Sequence, residues 1–565
     1  MRYDEVRHRI CDIESPLFSS MHRSQLSLSL LAISPRLTTA AFVDYTLNIV
    51  NTQISPDGFT RSASLVNGVF PGTVLFANKG DVLRNTVVNQ LTDPSMRRST
   101  TIHWHGLYQR TTAYEDGPAF VTQCPIAPAS SYQYVIPTLD QAGTHWYHSH
   151  LGSQYVDGVR SAIVIYDPDD PHKSLYDVDD ASTVIQLSDW YHTPAPALAD
   201  EYFDSGNEPV PDTGLINGRG RYNGGPAAPW SVINVEKGKR YRFRVVNNGA
   251  LGYYTFQIDG HPLKIIEADG LAHQPLIVNS LDIHPGERYS IVVEANQTVG
   301  NYWIRAPITA RRSSSTLDPS LVRAILRYSG APANDPTTSQ TSGTTLDISN
   351  LRPVENPGAP GGSAPADVVI DLNYGGVSGG KTGWQVNGSQ YKSPSLPTLL
   401  KILSNNATTN NDFATSENTI VLPYDKVIEL HIHGSSNGFF HPWHLHGHSF
   451  DIIQNGGAIN YVNPPRKDVI PVGGGTAIIR FKTSNPGPWF LHCAWRSAAI
   501  LIGIWRPVSP LIYSISYSAA NTFLGLAVVF AEAPNEQRAG TKAIHPSPDW
   551  NQLCPAYQAL PADQQ

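Results

Sequence analysis

Three His-x-His pairs are the residues of this chain best suited to carry chemistry. Side chains two residues apart on a β-strand point to the same side, so each pair can present two imidazoles to one metal ion or cluster. The pairs are His103/His105, His148/His150 and His444/His446. Two lie in the first third of the chain and one near its end, which predicts a metal cluster between these two parts. A set of surface histidines is the alternative, and so many histidines in three short segments argue against it.

The dipeptide His492-Cys493 adds a second kind of metal ligand. Neighbouring residues on a strand point to opposite faces, so one backbone segment can hold a thiolate for one metal site and an imidazole for another. A thiolate combined with imidazoles suits copper, as in His₂Cys electron-transfer sites. The peptide would then be a covalent electron path between a copper–thiolate centre and the histidine cluster. The usual axial Met has a poor candidate in Met96, which lies in a polar, basic stretch. A non-ligating axial residue would favour a high-potential copper.

Composition excludes several classes of protein. The 565 residues include 40 Lys and Arg against 47 Asp and Glu, and a net charge of −7 argues against a nucleic-acid binder. Only 15% of residues are charged, while 45 glycines and 44 prolines disfavour a helical bundle or coiled coil. Four cysteines are too few for a disulfide-dense scaffold, and the length predicts several domains.

The elements that must position these ligands are short strands. Apolar, β-branched and aromatic runs recur between Gly, Pro and Asn turns, and their spacing favours antiparallel sandwiches over parallel βαβ units. The clearest runs are 45–50, 132–136, 161–166, 241–246, 289–293, 427–433 and 477–481. Composition shifts at 167–172 and at the Pro/Ser/Thr/Gly-rich segment 330–364 resemble linkers. The sequence therefore predicts three β domains, 41–168, 169–330 and 331–565.

Residues 1–40 are predicted to be a leader. Residues 1–20 have mixed charge and no apolar periodicity. From Met21 onward, a short basic start, a modest apolar run over 26–33 and small residues around 38–41 predict a secretory signal peptide, with a disordered leader as the alternative. We therefore expect a secreted, extracellular protein.

Two further features bear on the compartment. Glycosylation sequons fit a secreted glycoprotein, and they begin at Asn296, Asn387 and Asn406. The uncharged stretch 508–531 is long enough to span a bilayer, but Pro510, Asn521 and five Ser or Gly residues argue against a membrane span.

At these motifs the sequence resembles the fungal laccases, a branch of the multicopper oxidases. The resemblance runs from about Phe42 to Leu560 with one interruption. It is carried by Asp-Gly-Pro-Ala-Phe at 116–120, Gln-Cys-Pro-Ile at 123–126, Asn-Pro-Pro-Arg-Lys-Asp-Val at 463–469 and Asn-Pro-Gly-Pro-Trp-Phe at 485–490. It implies three cupredoxin-like domains, which are Greek-key β-sandwiches, with four coppers per chain and a monomeric protein. It also implies one-electron oxidation of phenols of the lignin type, coupled to four-electron reduction of O₂ to water.

The resemblance assigns copper ligands and catalytic roles. His441 and Cys493 resemble type 1 ligands, and His103 and His444 resemble the type 2 pair. The residues that resemble type 3 ligands are His105, His148, His150, His446 and His492. Asp116 resembles the acid that assists proton delivery to reduced oxygen, while an ordinary turn aspartate before Gly117 is the alternative.

The resemblance also bears on other positions. Cys124 and Cys554 resemble the disulfide that ties the first domain to the C-terminal tail. Val156 and Ala250 stand where the family has a second disulfide, so that bridge is absent. Leu251 lies near a position where some relatives carry a substrate-contacting carboxylate, so it leaves the substrate preference open.

One segment departs from the family. Ala494 stands where the sixth type 3 histidine is expected, Ala498 where the second type 1 histidine is expected, and residues 494–524 contain no histidine. Family sequence resumes near Gly525, and Leu526 resembles the axial type 1 residue. A gene-model error such as translated intron sequence is one explanation, favoured by the abrupt loss and recovery of family sequence. A pseudoenzyme with a long loop is the other.

Two alternative functions follow from the same residues. The missing ligands motivate an inactive or copper-binding-only laccase paralogue. Another multicopper oxidase, acting on metal ions or ascorbate, is the second alternative. The lack of an obvious acidic cluster beside the candidate type 1 motifs weighs against a ferroxidase.

Overall fold

Short strands make up most of the described chain. The computed structural model describes residues 40–310, 312–377, 383–434, 439–494, 521–522, 525–561 and 564. All seven runs predicted as strands lie within strands. The predicted all-β class is therefore confirmed. The signal-peptide prediction and the position of Ala498 lie outside the described residues.

The first pair of sheets spans residues 42–166, in the orders β2-β1-β4-β6 and β3-β8-β7-β5. Its strands are β1 Phe42–Ile54, β2 Arg61–Val66, β3 Leu75–Asn78, β4 Val82–Gln90, β5 Ile102–His105, β6 Ser131–Pro137, β7 Gly143–Ser149 and β8 Arg160–Tyr166. In β4 and β6 buried residues alternate with less buried ones, as expected for a sheet with one face in a core. Strand β7 is buried throughout, because its second face lies inside the protein as well.

The second pair of sheets spans residues 184–328, in the orders β10-β9-β12-β17-β14-β15 and β11-β20-β18-β13-β16. Its strands are β9 Val184–Trp190, β10 Thr213–Ile216, β11 Val232–Val235, β12 Arg240–Asn247, β13 Tyr253–Ile258, β14 Leu263–Ala268, β15 Leu271–Val278, β16 Ser280–Ile283, β17 Arg288–Glu294, β18 Asn301–Arg305, β19 Ile308–Thr309 and β20 Arg323–Tyr328. A separate apolar core, which includes Phe243, Phe256 and Ile291, fills the space between these sheets.

The third pair of sheets spans residues 368–532, in the orders β22-β21-β25-β30-β27-β28 and β24-β33-β31-β26-β29. Its strands are β21 Val368–Gly376, β22 Trp384–Val386, β23 Lys392–Ser393, β24 Thr419–Leu422, β25 Val427–Gly434, β26 His441–Leu445, β27 Phe450–Asn455, β28 Arg466–Lys467, β29 Val469–Val472, β30 Gly475–Lys482, β31 Gly487–Cys493, β32 Asn521–Thr522 and β33 Ala527–Glu532. Strands β23 and β32 form a small sheet of their own.

The sheets form sandwiches with mostly antiparallel pairing, as expected, but they also contain parallel pairs and are therefore mixed. Each pair of sheets contains two parallel strand pairs among the described residues. They are β1/β4 and β3/β8, β9/β12 and β11/β20, and β21/β25 and β24/β33. Parallel neighbours need a crossover connection. For β1 and β4 the intervening chain forms β2 and then β3 of the opposite sheet, so the crossover is itself made of strands.

Helices have a minor role in the described chain, where they are α1 Ala195–Ser205, α2 Thr398–Asn405, α3 Pro534–Arg538 and α4 Pro548–Gln558. Helix α4 begins at the N-cap Ser547, whose hydroxyl accepts a hydrogen bond from the Trp550 amide. Trp550 and Leu553 pack into the core of the first pair of sheets. The Cys124–Cys554 disulfide, with Cα atoms 4.9 Å apart, secures this contact as the family resemblance implied.

Candidate metal centre

Two strand pairs bring the predicted ligands together. In the first pair of sheets β5 lies antiparallel to β7, and His103 stands opposite His148. In the third pair of sheets β26 lies antiparallel to β31, and His444 stands opposite His492. Register therefore places ligands from distant parts of the sequence side by side.

The imidazoles from the two strand pairs interleave. His103 stacks on His446 with ring centroids 3.9 Å apart, and His105 stacks on His444 at 3.6 Å. Nε2 of His492 lies 3.0 Å from Nε2 of His446. Three sets of histidines have ligand atoms within 4.8 Å of one another: His103/His444/His446, His103/His105/His148 and His150/His446/His492. Seven of the nine predicted ligands thus converge in one buried cluster.

Hydrogen bonds orient the imidazoles of the cluster. Nδ1 of His103 donates to the Asp116 carbonyl at 2.8 Å, and Nδ1 of His444 donates to the Asp468 carbonyl at 3.0 Å. A carbonyl can only accept, so the opposite Nε2 carries a lone pair. In both histidines that Nε2 is buried and has no hydrogen-bond partner. Buried polar atoms are nearly always paired, so these two nitrogens fit metal ligands held in place by outer oxygen atoms.

Burial also keeps three histidines of the cluster in their ligating form. It lowers the pKa of His105, His444 and His446 well below the ordinary value, and neighbouring histidines reinforce the effect. Neutral imidazole is the form that binds metal. These three histidines can therefore bind metal ions without first losing protons.

Asp116 joins the first and third pairs of sheets at the cluster. Its carboxylate accepts a hydrogen bond from Nδ1 of His446 at 2.9 Å, while its carbonyl accepts one from His103. Burial raises the pKa of Asp116, and His103 opposes that shift. These contacts make Asp116 more than an ordinary turn residue, since it orients one histidine from each strand pair.

A second candidate site contains the thiolate. Sγ of Cys493 lies 3.5 Å from Nδ1 of His441, and both residues are fully buried. The rings of Tyr374 and Trp384 pack edge-on against His441. The Cys493 amide donates to the carbonyl of Leu526 at 3.2 Å, so the chain after the anomalous segment returns to this site. His492 and Cys493 therefore reach two different sites from one strand end.

Four other positions that the family resemblance singled out lie in the described part of the structure. Ala494 lies within the described chain, where its amide donates to the Pro442 carbonyl, and it brings no imidazole to the cluster. Val156 and Ala250 are buried in one apolar cluster, which replaces a covalent link with packing. Leu251 is buried in the same core as Cys493 and Leu526.

Sequence reasoning missed Asp468 and Arg288. Arg288 donates two hydrogen bonds, of 2.6 and 2.7 Å, to the Asp468 carboxylate, which also lies 3.6 Å from Nε2 of His105. Burial raises the pKa of Asp468 to about 6, and Arg288 opposes that shift. Asp468 belongs to the motif at 463–469 that carried the family resemblance. Nothing in the sequence paired it with an arginine 180 residues away.

A polar cavity of about 520 Å³ lies next to residues that adjoin the cluster in sequence. Its lining includes Gly106 and Gly447, which directly follow His105 and His446, together with His145, Asp269 and Asn485. Neither His441 nor Cys493 lines this cavity, so it is separate from the Cys493 site.

Comparison with known proteins agrees with this geometry. Family models described as multicopper oxidase match residues 48–170, 181–331 and 391–497, which together make up more than half of the chain. The chain belongs to the multicopper oxidase family. Copper is accordingly the cofactor of this multicopper oxidase, and the three pairs of sheets are its cupredoxin-like domains.

Similar proteins narrow the class of oxidase. The chain is 58% identical over 487 residues to Laccase-4 of Thanatephorus cucumeris, covering 83% of this chain and 91% of the relative. It is 45% identical to Laccase-2 of Agaricus bisporus, covering 91% and 95%. The prediction of a laccase-type oxidoreductase is confirmed at this level, and the alternatives that act on metal ions or ascorbate are not favoured.

Solved structures share the fold. The laccase from Botrytis aclada superposes with a TM-score of 0.77 at 30% identity, covering 92% of each chain. Fet3p, a multicopper oxidase that functions in iron import, gives a TM-score of 0.78 at 25% identity, covering 92% of this multicopper oxidase and 95% of Fet3p. No helix in the described part of the chain has the length and apolar character needed to cross a membrane.

Proposed function

We propose that this multicopper oxidase oxidises phenols and diphenols one electron at a time and reduces O₂ to water by four electrons. One observation carries the proposal: the adjacent residues His492 and Cys493 reach two buried sites from a single strand end. This link gives electrons a short covalent path from the site of phenol oxidation to the site of oxygen reduction.

The ligands divide into three copper sites. His441 and Cys493 would hold the type 1 copper, and His103 and His444 the type 2 copper. The type 3 pair would be held by His105, His148, His150, His446 and His492. Bound copper supplies the one-electron redox chemistry, which no amino-acid side chain of this site provides by itself.

Other residues position the reaction. Asp116 holds His446 and His103 in place and supplies a carboxyl group for proton delivery to reduced oxygen. The cavity beside Gly106 and Gly447 would admit O₂ and release water. Small phenols would give up electrons at the Cys493 site instead.

A copper-binding protein without oxidase activity is the second candidate. Ala494 favours it, because a methyl group stands where the family has a type 3 histidine. If residues 494–524 result from a gene-model error, the missing histidine no longer argues against an oxidase. Sequencing the transcript across codons 490–530 tests for such an error.

Oxygen uptake separates the two candidates. The full chain is purified, its copper content is measured, and O₂ consumption is followed with a dimethoxyphenol. Phenol-dependent uptake that Cys493→Ser abolishes supports the oxidase. Copper binding with an intense thiolate band but no O₂ uptake would instead establish the copper-binding protein. Fe²⁺ and ascorbate are compared as substrates in the same assay.

We also propose the compartment and organisation of the chain. A signal peptide beginning at Met21 would direct secretion, and the exposed Asn296, Asn387 and Asn406 are available to carry glycans. Domains at 41–168, 169–330 and 331–565 would form a monomer. The N-terminal sequence and mass of the secreted protein test these assignments.

A further inference from the structure

The side-chain amide of Asn485 joins two loops that each follow a pair of predicted copper ligands. Its Nδ2 atom donates a hydrogen bond of 2.6 Å to the Tyr108 carbonyl and one of 2.9 Å to the Gly447 carbonyl. Tyr108 follows His105 closely in the first domain, and Gly447 directly follows His446 in the third domain. An amide nitrogen has only two hydrogens, so both of them hold these loops together.

Two further contacts fix the backbone of Asn485 within the third domain. Its amide N–H donates to Oε1 of Glu532 at 2.7 Å, and its carbonyl accepts a hydrogen bond of 2.6 Å from the Trp489 indole. All three residues are buried. Trp489 belongs to β31, the strand that ends with the ligands His492 and Cys493. The amide of Asn485 is therefore held in a fixed position relative to β31.

The same two loops have other close contacts. The Tyr108 hydroxyl donates to the Ser449 hydroxyl at 3.0 Å, which is a second hydrogen bond between the first and third domains. Gly447 has a φ of +71°, and a Cβ at this position would lie 2.3 Å from the Trp489 ring. The third-domain loop thus packs directly against β31 on one side, while hydrogen bonds tie it to the first domain on the other.

The two copper sites differ in how far they depend on this contact between domains. The histidine cluster combines first-domain ligands at 103–105 and 148–150 with third-domain ligands at 444–446 and 492. The other site takes His441 and Cys493 from the third domain alone. A shift of one domain against the other would therefore separate the ligands of the cluster, whereas the Cys493 site would stay intact.

We propose that Asn485 is a positioning residue that locks the ligand loops of the first and third domains together, so that the histidine cluster can hold its copper ions. This inference rests on the ligand assignment of the proposed function. Outer hydrogen bonds that orient metal ligands contribute about 10–100-fold to metal affinity. Because Asn485 acts through the loops and not on an imidazole, we expect an effect of about tenfold, at the lower end of that range. The competing explanation is a turn residue that stabilises the third domain as a whole.

Amide hydrogen exchange of the copper-free full chain tests the contact directly. Asn485→Leu has a similar side-chain volume but no hydrogen-bond donor. We expect exchange at 106–108 and 447–449 to become about tenfold faster, because each loop loses a buried hydrogen bond. Asn485→Asp can donate at most one of the two bonds and is the milder second variant, with a smaller increase in both loops.

Asn89→Leu is the matched control. The Nδ2 atom of the buried Asn89 also donates to two carbonyls, those of Arg98 and Ile126 at 2.8 and 2.9 Å, but both lie in the first domain. This variant loses the same kind of contact without touching the link between domains. Exchange at 106–108 and 447–449 should therefore be the same as in the unaltered protein.

Copper binding tests the consequence for the cluster. Bound copper is counted by elemental analysis, and the Cys493 site is followed separately by its thiolate-to-copper absorption. Asn485→Leu should weaken Cu²⁺ binding by the cluster about tenfold and keep the thiolate band, whereas Asn89→Leu should keep both.

Two results would overturn the proposal. One is unchanged exchange in both loops of Asn485→Leu and Asn485→Asp, and the other is loss of the thiolate band together with the cluster copper. The second result would establish the role of a residue that stabilises the third domain as a whole. Neither measurement uses phenol oxidation or O₂ uptake, so failure of the proposed oxidase activity would be a separate result.

Discussion

Lys467 offers a sharp test of how the second and third domains are held together. Its ammonium group is fully buried and lies 3.0 Å from Oδ2 of Asp269 and 3.1 Å from Oε1 of Glu287. The Tyr289 hydroxyl is a further contact at 3.2 Å. Burial would raise the pKa of Asp269, but Lys467 and Arg288 hold it below its ordinary value. Lys467→Met would leave the buried Glu287 carboxyl group without its cation and Asp269 with only the more distant Arg288, at 3.7 Å.

The expected loss can be worked from these distances. At an effective dielectric constant of about 20, each contact is worth about 5 kcal/mol before desolvation of the ammonium is subtracted. Breaking a buried ion pair by removing one partner costs about 3–5 kcal/mol of unfolding free energy, since the remaining charge stays buried. Lys482→Met is the control. Its pair with Asp425 is about half exposed on both sides, so the expected loss is about 0–1 kcal/mol.

The loss should also depend on pH. In the unaltered protein the lowered pKa of Asp269 contributes stability above its unfolded pKa, and this contribution is lost as pH falls. In Lys467→Met we expect the pKa of the Asp269 carboxyl group to rise instead, because burial remains and the nearest cation is gone. The difference between the two proteins should therefore be largest near neutral pH and shrink by up to about 1.4 kcal/mol per pH unit on acidification.

Urea unfolding followed by tryptophan fluorescence, at matched copper content and at several pH values, measures this difference. Adding Asp269→Asn and Glu287→Gln to Lys467→Met should recover part of the loss, because no buried charge then lacks a partner. The reasoning is refuted if Lys467→Met costs no more than Lys482→Met, or if its cost is the same at every pH.

Three further predictions concern single groups. Burial raises the pKa of Glu115 to about 8, so its contribution to stability is complete below about pH 4.5 and is lost as pH rises through 8. Glu115→Gln should therefore make the thermal unfolding midpoint depend less on pH between pH 5 and 8. Glu294→Gln, at an exposed position, should leave that pH dependence unchanged. The side-chain oxygen of Asp116→Asn can still accept the hydrogen bond from His446, but it cannot deliver a proton. The variant should therefore slow reoxidation of the reduced enzyme by O₂ about 10²-fold or more at unchanged copper content. Stopped-flow rates equal to those of the unaltered protein would contradict the proposed role. Cys124→Ser/Cys554→Ser should lower the unfolding free energy by about 2–4 kcal/mol with little change in phenol oxidation, and an unchanged thermal midpoint would count against the tail as a stabilising element.

The sequence alone determined the strands and most of the ligands. Apolar runs between turn residues predicted β25 and β30, and the two-residue period of a strand predicted that His103 and His105 share one face. Opposite faces for His492 and Cys493 followed from the same period. These are local properties of the chain, because they depend only on residues a few positions apart. The family resemblance supplied the Cys124–Cys554 pair, which spacing could not.

Only the tertiary structure decided which ligands meet and what holds them. Asp116 orients His446 from 330 residues away, and Asp371 lies between His431 and His433 through the parallel pairing of β21 and β25. Strand periodicity determines which face a side chain occupies. The neighbour across that face depends instead on register and on domain packing, which no local sequence pattern encodes. For that reason Arg288 could be recognised as the partner of Asp468 only in the folded chain.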